Sequence, residues 1–419
     1  MKYFFILSLI TINFILFGQQ VDGGNGHAII LDKQGDVYTI GRNNFGQLGD
    51  SSFINSATPV KVDLPKIKRI SRGYDHSLAI DSLGNIWAWG RNNYGQLSAP
   101  KPFDFSTPQK VQGHSDFIEV EGGHWHTIAL KSNGTVWAWG HNYYGELGNG
   151  NREHSSYPVQ VVLENGKPLK NIKQITSVGY HTLAIASNGD VYAWGGNTCA
   201  SLGHQKNKIQ PYAEKIESLQ NIKAVATGWH HSVALNSAGE VFIWGSDPST
   251  QYKETTGFFY KEIKKLDDLP KIKKIACGSW HTLAVDEQGK TWGWGKNHYG
   301  MLGTGDTIST STPILLNLPA GICEIGGGCF QSIAIDSLGN FYTMGDNPSG
   351  QQGQGNLKRI LTPQKIHLNA AHENKPEDGA DIEESERFGT EKIAYYIVLA
   401  LSLLVNLYLI FKLKKNKAR

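Results

Sequence analysis

One pattern constrains this chain more than any other: a histidine followed eight residues later by glycine and fourteen residues later by a second glycine. It starts at His27, His76, His126, His181, His231 and His281, and once more at Gln331, where glutamine stands in place of histidine. Successive starts lie 49, 50, 55, 50, 50 and 50 residues apart. A fixed period of this length marks a repeat architecture, in which each unit is one supersecondary element that must stack on its neighbours to bury its faces.

Within a unit, short apolar runs alternate with turn chemistry. After His76 comes Ser77-Leu78-Ala79-Ile80, then the hairpin signal Asp81-Ser82-Leu83-Gly84-Asn85, then Ile86-Trp87-Ala88-Trp89 ending at Gly90. A polar loop follows, clearest at Asn92 to Leu97 and Asn142 to Gly148, then a strand begun by proline (Pro59, Pro108) and an Ile-x-x-Ile strand such as Ile67 to Ile70. Four strands in about fifty residues predict a propeller blade. The fold expected is an all-β, seven-bladed β-propeller over residues 19–368. Its 48 glycines and 11 tryptophans against 3 methionines suit tight turns and strands better than helices. With His as the start of each unit, Val21 to Gly24 and the strand Pro363 to Leu368 stand as spare ends. They are expected to share one blade and latch the ring.

Gly-x-x-His-[Ser/Thr]-x-Ala, followed by Trp-Gly-x-Asn-x-Tyr-Gly-Gln-Leu-Gly, resembles the regulator-of-chromosome-condensation repeat over residues 21–368. Kelch and WD repeats share the blade plan but carry other signatures. The eukaryotic namesake is a guanine-nucleotide exchange factor that binds chromatin; other members resemble receptors and scaffolds, and one secreted bacterial group an inhibitor that grips a hydrolase. This chain departs from the pattern at Val178, which replaces a motif glycine, at Gln331, and in the loops 197–201 and 246–249, where specialisation is expected.

The ends bear on compartment. Residues 1–18, Met-Lys followed by an apolar run, read as a signal peptide, with an uncleaved anchor as the alternative because Leu16 is large for a cleavage site. Ile393 to Phe411 would rise about 28 Å as a helix, matching a hydrocarbon core of about 30 Å. We therefore assign 392–411 as a transmembrane helix and 412–419, with four lysines and Arg419, as a basic cytoplasmic tail. The acidic stretch 369–391 reads as a solvated linker. The expected localisation is a single-pass membrane protein with its propeller in the periplasm or at the cell exterior. The formal charge of +3 is segregated. Lys2, Lys392, the five cations after Phe411 and a net −6 over 369–391 leave 21–368 at +2. Such a body lacks the basic footprint of a nucleic-acid binder.

The repeated histidines are placed by blade geometry around a ring rather than converging on one ion, so hydrogen bonding between blades is their first explanation. No nucleophile elbow, phosphate loop or zinc spacing is present, and no catalytic residue, metal or cofactor is expected. The stronger candidates are the aromatic residues just ahead of each start: Tyr74, Trp125, Tyr180, Trp229, Trp280 and Phe330. With His76, His126, His231 and His281 they form the expected binding residues on one ring face, for a protein partner or, alternatively, a glycan or cell-wall polymer. A propeller lyase or hydrolase is the remaining alternative. Cys199, Cys277, Cys323 and Cys329 allow three disulfide connectivities or free thiols. Asn133-Gly134-Thr135 is a glycosylation sequon that also fits a hairpin turn.

Overall fold

Each repeat must bury two apolar sheet faces, because the alternating residues of its central strands are apolar on both sides. In the computed structural model, which describes residues 18–99, 103–204, 206–246 and 259–368, seven four-stranded antiparallel sheets meet this demand by stacking into a ring. Apart from Gly18, the signal peptide, and all of the linker, the transmembrane helix and the tail, lie outside the described residues. The described residues contain no helix long and apolar enough to cross a membrane.

Blade two comprises Ile67–Arg72, His76–Asp81, Ile86–Gly90 and Phe105–Lys110, paired in chain order from the axis outwards. Every other blade follows the same order. The Ile-x-x-Ile strand is therefore the innermost strand of the next blade, and the proline strand is the outermost of its own. The expected shared blade is not found. Blade one is built only from Gln20–Gly23, His27–Leu31, Val37–Gly41 and Ser56–Lys61, and blade seven from Ile322–Gly327, Gln331–Asp336, Phe341–Gly345 and Ile360–Ile366. Neither end is spare: the Val21 strand pairs with His27–Leu31, and the Pro363 strand pairs with Phe341–Gly345. The physical reason is phase. A period fixes the spacing of strands, but only hydrogen-bond pairing decides where one sheet stops.

Seven buried apolar clusters sit one in each seam between adjacent blades. The closing seam joins Val21, Ala28, Ile30 and Ile40 of blade one to Ile333, Ile335, Phe341 and Ile366 of blade seven. The strands, seams and closing contacts lie within 20–368, so the ring is completed by this segment alone. Trp89, Trp139, Trp194 and Trp244 lie buried in the seams and donate their indole N–H groups to carbonyls of the preceding blade (Gln47, Gln96, Glu146 and Ser201) at 2.7–3.0 Å.

The ring has two unlike faces. On the hairpin face lie the turns between second and third strands, with the linkers between blades. On the loop face lie the turns between first and second strands, where the Gly-x-x-His motif sits, and the longer loops between third and fourth strands. In the longer loops the asparagine side chain accepts the amide of the residue five places on, as in Leu48 to Asn43, Leu97 to Asn92 and Leu147 to Asn142 at 2.9–3.0 Å. The departing loop at 197–201 keeps this bond, from Leu202 to Asn197.

Candidate functional site

The Gly-x-x-His turns are joined around the axis by backbone hydrogen bonds at six of the seven joints between neighbouring blades, all but that of blades four and five: Asn25 to Tyr74, Tyr74 to Gly123, His124 to Gly179, Trp229 to Ser279, Ser279 to Gly328, and, at the closure, Cys329 to Gly24. This fixes the side chains of the turn. The imidazole folds back over the motif glycine: a Cβ on Gly73 or Gly123 would run into the ring of His76 or His126. Its Nε2 then reaches into the next blade. His76 meets Thr127 Oγ1 at 3.2 Å, His181 meets Ser232 at 2.8 Å, His231 meets Thr282 at 3.1 Å and His281 meets Ser332 at 2.8 Å. His126 bonds Ser177 instead, at 3.1 Å.

Several of these hydroxyls already donate to a carbonyl, as Thr127 does to Gln96 and Ser332 to Met301, so they accept from the imidazole and the proton sits on Nε2. Burial pushes His76, His181, His231 and His281 down to about 3, which keeps them neutral. His76, His126, His231 and His281 are thus placed between blades, beneath the face rather than on it.

Above them the aromatic residues are half-buried and brought together. Those two places before the start of the repeat point at the axis and close it. Tyr74 stacks on His124 at 4.2 Å between centroids, and both lie against Trp229, at 5.7 and 5.2 Å. Those one place before lie further out. Tyr180 stacks on His124 at 4.9 Å, so that His124 is held between two tyrosines. Trp280 lies against Trp229 at 5.2 Å, and Trp125 touches His124 at 4.2 Å.

The long loops add a second row. Tyr94 packs on Trp125, Tyr144 on Tyr180 and Tyr299 on Phe330, each at 5.0–5.2 Å and each reaching from one blade to the next. Of the six expected aromatics, five form one continuous surface across blades two to six. Phe330 pairs with Tyr299 beside it.

Cations rim this surface. The Lys296 ammonium lies 3.9 Å from the centre of the Trp280 ring, and burial pushes its pKa down. Arg91 lies over Phe45 and toward Trp125, and with Arg42 it flanks the buried Asp75, at 3.2 and 3.5 Å. Burial raises the Asp75 carboxyl against the pull of those guanidiniums. His124, Tyr94, Tyr144 and Lys296 did not appear among the expected site residues. The tyrosines recur in the loop motif and so carried a signal; His124 was visible only as the occupant of the place held by Tyr74 and Trp229.

Below this cap the innermost strands surround an axial cavity of about 390 Å³ with charged walls. Arg69 pairs with Glu119 at 3.1 Å and Arg72 with Asp22 at 3.2 Å. Burial, with Glu119 and Asp22 nearby, holds the Glu121 carboxyl well above its ordinary range. Among the described residues no cluster of three or more His, Cys, Asp or Glu side chains is arranged to hold a metal ion. The four cysteines are free thiols, with Cys199, Cys277 and Cys329 buried and Cys323 exposed. Asn133 accepts both the amide and the hydroxyl of Thr135 in its hairpin, as a turn residue does.

Comparison with known families decides the affiliation. The model of the RCC1-like domain matches residues 113–382, more than half of the chain. The chain belongs to the RCC1-like domain family. Models of the regulator of chromosome condensation (RCC1) repeat match residues 34–80 and 84–130, and a second such model matches 19–47 and 67–96. Among solved structures, human WBSCR16 superposes with a TM-score of 0.69 at 21% identity, over 82% of this chain and 96% of that one. Prp20p from Saccharomyces cerevisiae, described with its binding to Gsp1p and histones, gives 0.64 at 25% identity over 74% and 80%. Yeast RCC1 (Prp20) bound to Kap60 gives 0.66 at 24% over 74% and 78%.

Proposed function

We propose that this RCC1-like propeller is a membrane-anchored, extracytoplasmic interaction module that binds a protein partner through its loop face. The observation that carries the reading is the continuous aromatic surface from Tyr74 through His124, Tyr180 and Trp229 to Trp280. Half-buried aromatic rings with cations at their edge are the composition of interface hot spots. Prp20p, with its binding to Gsp1p and histones, offers a precedent for protein binding on this fold. Fold alone assigns no partner. The near-neutral body argues against nucleic acid.

The anchored part of the proposal rests on the sequence: a signal peptide at 1–18, a linker at 369–391, a span at 392–411 and a cytoplasmic tail at 412–419. The glycan alternative draws on the same aromatics, but sugar platforms need open ring faces, and here both faces of His124 are covered by tyrosines.

Crosslinking and affinity capture with the released propeller, from the membrane fraction of its own source, tests the reading. A protein retained by the native propeller and lost from a Trp229→Ala/Trp280→Ala variant that still folds supports it. Retention of polysaccharide with no protein enriched overturns it. External protease that spares the propeller while removing the tail overturns the orientation.

A further inference from the structure

The hairpin face carries a second recurrent feature. In blades two to seven the innermost strand begins with a buried Ile or Phe, and in all of them but blade five its amide donates to the hairpin glycine carbonyl of the preceding blade, as in Ile67 to Gly35, Ile172 to Gly134 and Ile272 to Gly239. The next residue lies in a β-bulge in every one of these blades. A bulge leaves its extra residue outside the ladder and re-aims its side chain. The bulge positions are Lys68, Ile118, Lys173, Lys223, Lys273 and Cys323. Lys173, Lys223 and Lys273 are exposed and Lys68 half-exposed, and none of the four has an ion-pair partner among the described residues. Of the acids on this face, Asp36 is engaged by Lys61 and Lys66, Glu324 by Lys274 and Asp267 by Lys265, while Asp63, Asp116, Asp268 and Glu287 are exposed without an ion pair among the described residues and are matched by the equally unpaired Lys33, Lys170, Lys271 and Lys290.

The hairpin tips of this face hold Leu83 and Leu338, at 78% and 80% the most exposed large apolar side chains among those described. They stand on blades two and seven, on either side of the blade-one tip with its exposed Lys33. The last strand of blade seven runs toward this same face, so Leu368, the last described residue, lies there too.

We infer that the hairpin face is a contact surface for an anionic lipid bilayer. The four lysines stand on separate blades around the axis, so only a broad, flat anion meets them together. The two leucines project as apolar tips that enter the headgroup boundary, as interfacial anchors do. The inference deepens the anchored reading above and rests on it: the lipid-facing side would be the hairpin face, and the aromatic loop face would point away from the membrane to receive its partner.

The test uses the propeller segment 19–371, whose ring is complete, sedimented with vesicles of phosphatidylglycerol or of phosphatidylcholine. Binding is expected with phosphatidylglycerol only and to fall as salt is raised. Each lysine near an anionic surface is worth about five-fold, so the K68E/K173E/K223E/K273E variant, which loses four such charges and adds four opposing ones, should bind at least on the order of several-hundred-fold more weakly. An unchanged unfolding midpoint would show that this variant is folded. Leu83→Ser/Leu338→Ser should weaken binding without changing its salt dependence. Equal binding to both lipids, undiminished binding of the quadruple variant, or loss of binding in Trp229→Ala/Trp280→Ala overturns the inference. Alkaline carbonate extraction of the full chain tests the anchor separately: a chain that is extracted while its propeller still binds phosphatidylglycerol refutes the anchor and leaves the lipid face standing.

Discussion

Gln331 Nε2 donates a 2.8 Å hydrogen bond to the backbone carbonyl of His27, across the joint where blade seven meets blade one. Most other joints are made by an imidazole and a hydroxyl one residue past the next repeat start, as in His231 with Thr282 and His281 with Ser332. At the closure that hydroxyl is missing, because Ala28 occupies its place. A histidine there would find no acceptor for Nε2–H, and the longer, flexible amide reaches the main chain instead. The two departures from the repeat are thus one adaptation.

Gln331→His is therefore expected to destabilise the propeller by about 1–3 kcal/mol, the cost of a buried donor without a partner. Ala28→Ser made on top of it should recover part of that loss by restoring the hydroxyl. A double-mutant cycle by denaturant unfolding measures the coupling; additive effects would refute the pairing.

The seam tryptophans Trp89, Trp139, Trp194 and Trp244 bind neighbouring blades through one hydrogen bond each. Trp139 donates its indole N–H to the Gln96 carbonyl at 2.8 Å, across the seam between blades two and three. Trp139→Phe removes that bond and should cost about 1 kcal/mol, the net worth of one hydrogen bond, beyond the loss from the smaller ring. An unfolding midpoint unchanged in Trp139→Phe would show that the bond contributes nothing.

The number of blades could be read from the spacing of His76, Gly84 and Gly90 and their repeats, because each residue answers a local demand: an imidazole that reaches the next blade, a turn, and a close backbone approach. The blade boundary could not. The strand Ile67–Arg72 is equidistant in pattern from the proline strand before it and the histidine strand after it, and pairing with the latter is a long-range fact. The site divides in the same way. Tyr74, Trp229 and Trp280 recur at fixed offsets and so were visible as a set. That Tyr94 of blade two packs on Trp125 of blade three, or that His124 sits between two tyrosines, depends on the ring closing.

The joint histidines also predict how the propeller responds to acid. Burial pushes His27, His76, His181, His231 and His281 from 6.5 to about 3. Below pH 6.5 the unfolded chain takes up protons that the folded chain refuses, so the stability these groups contribute is fully present above 6.5 and is lost as the pH falls toward their folded values. Each contributes a slope of up to about 1.4 kcal/mol per pH unit across that window. Glu121 works the other way, as do Asp22, Asp75, Asp104 and Glu119. Their raised folded pKa values favour the native state in acid and withdraw that support as the pH rises through them. With His124, His126 and His230 lowered in the same way as the other five, the histidines outnumber these carboxyls, so the urea midpoint should be markedly lower at about pH 5 than at about pH 7. His181→Gln keeps a donor for Ser232 but cannot titrate, and should flatten the slope by about one proton; a midpoint independent of pH over this range, or an unaltered slope in the variant, would show that the seams do not hold neutral imidazoles.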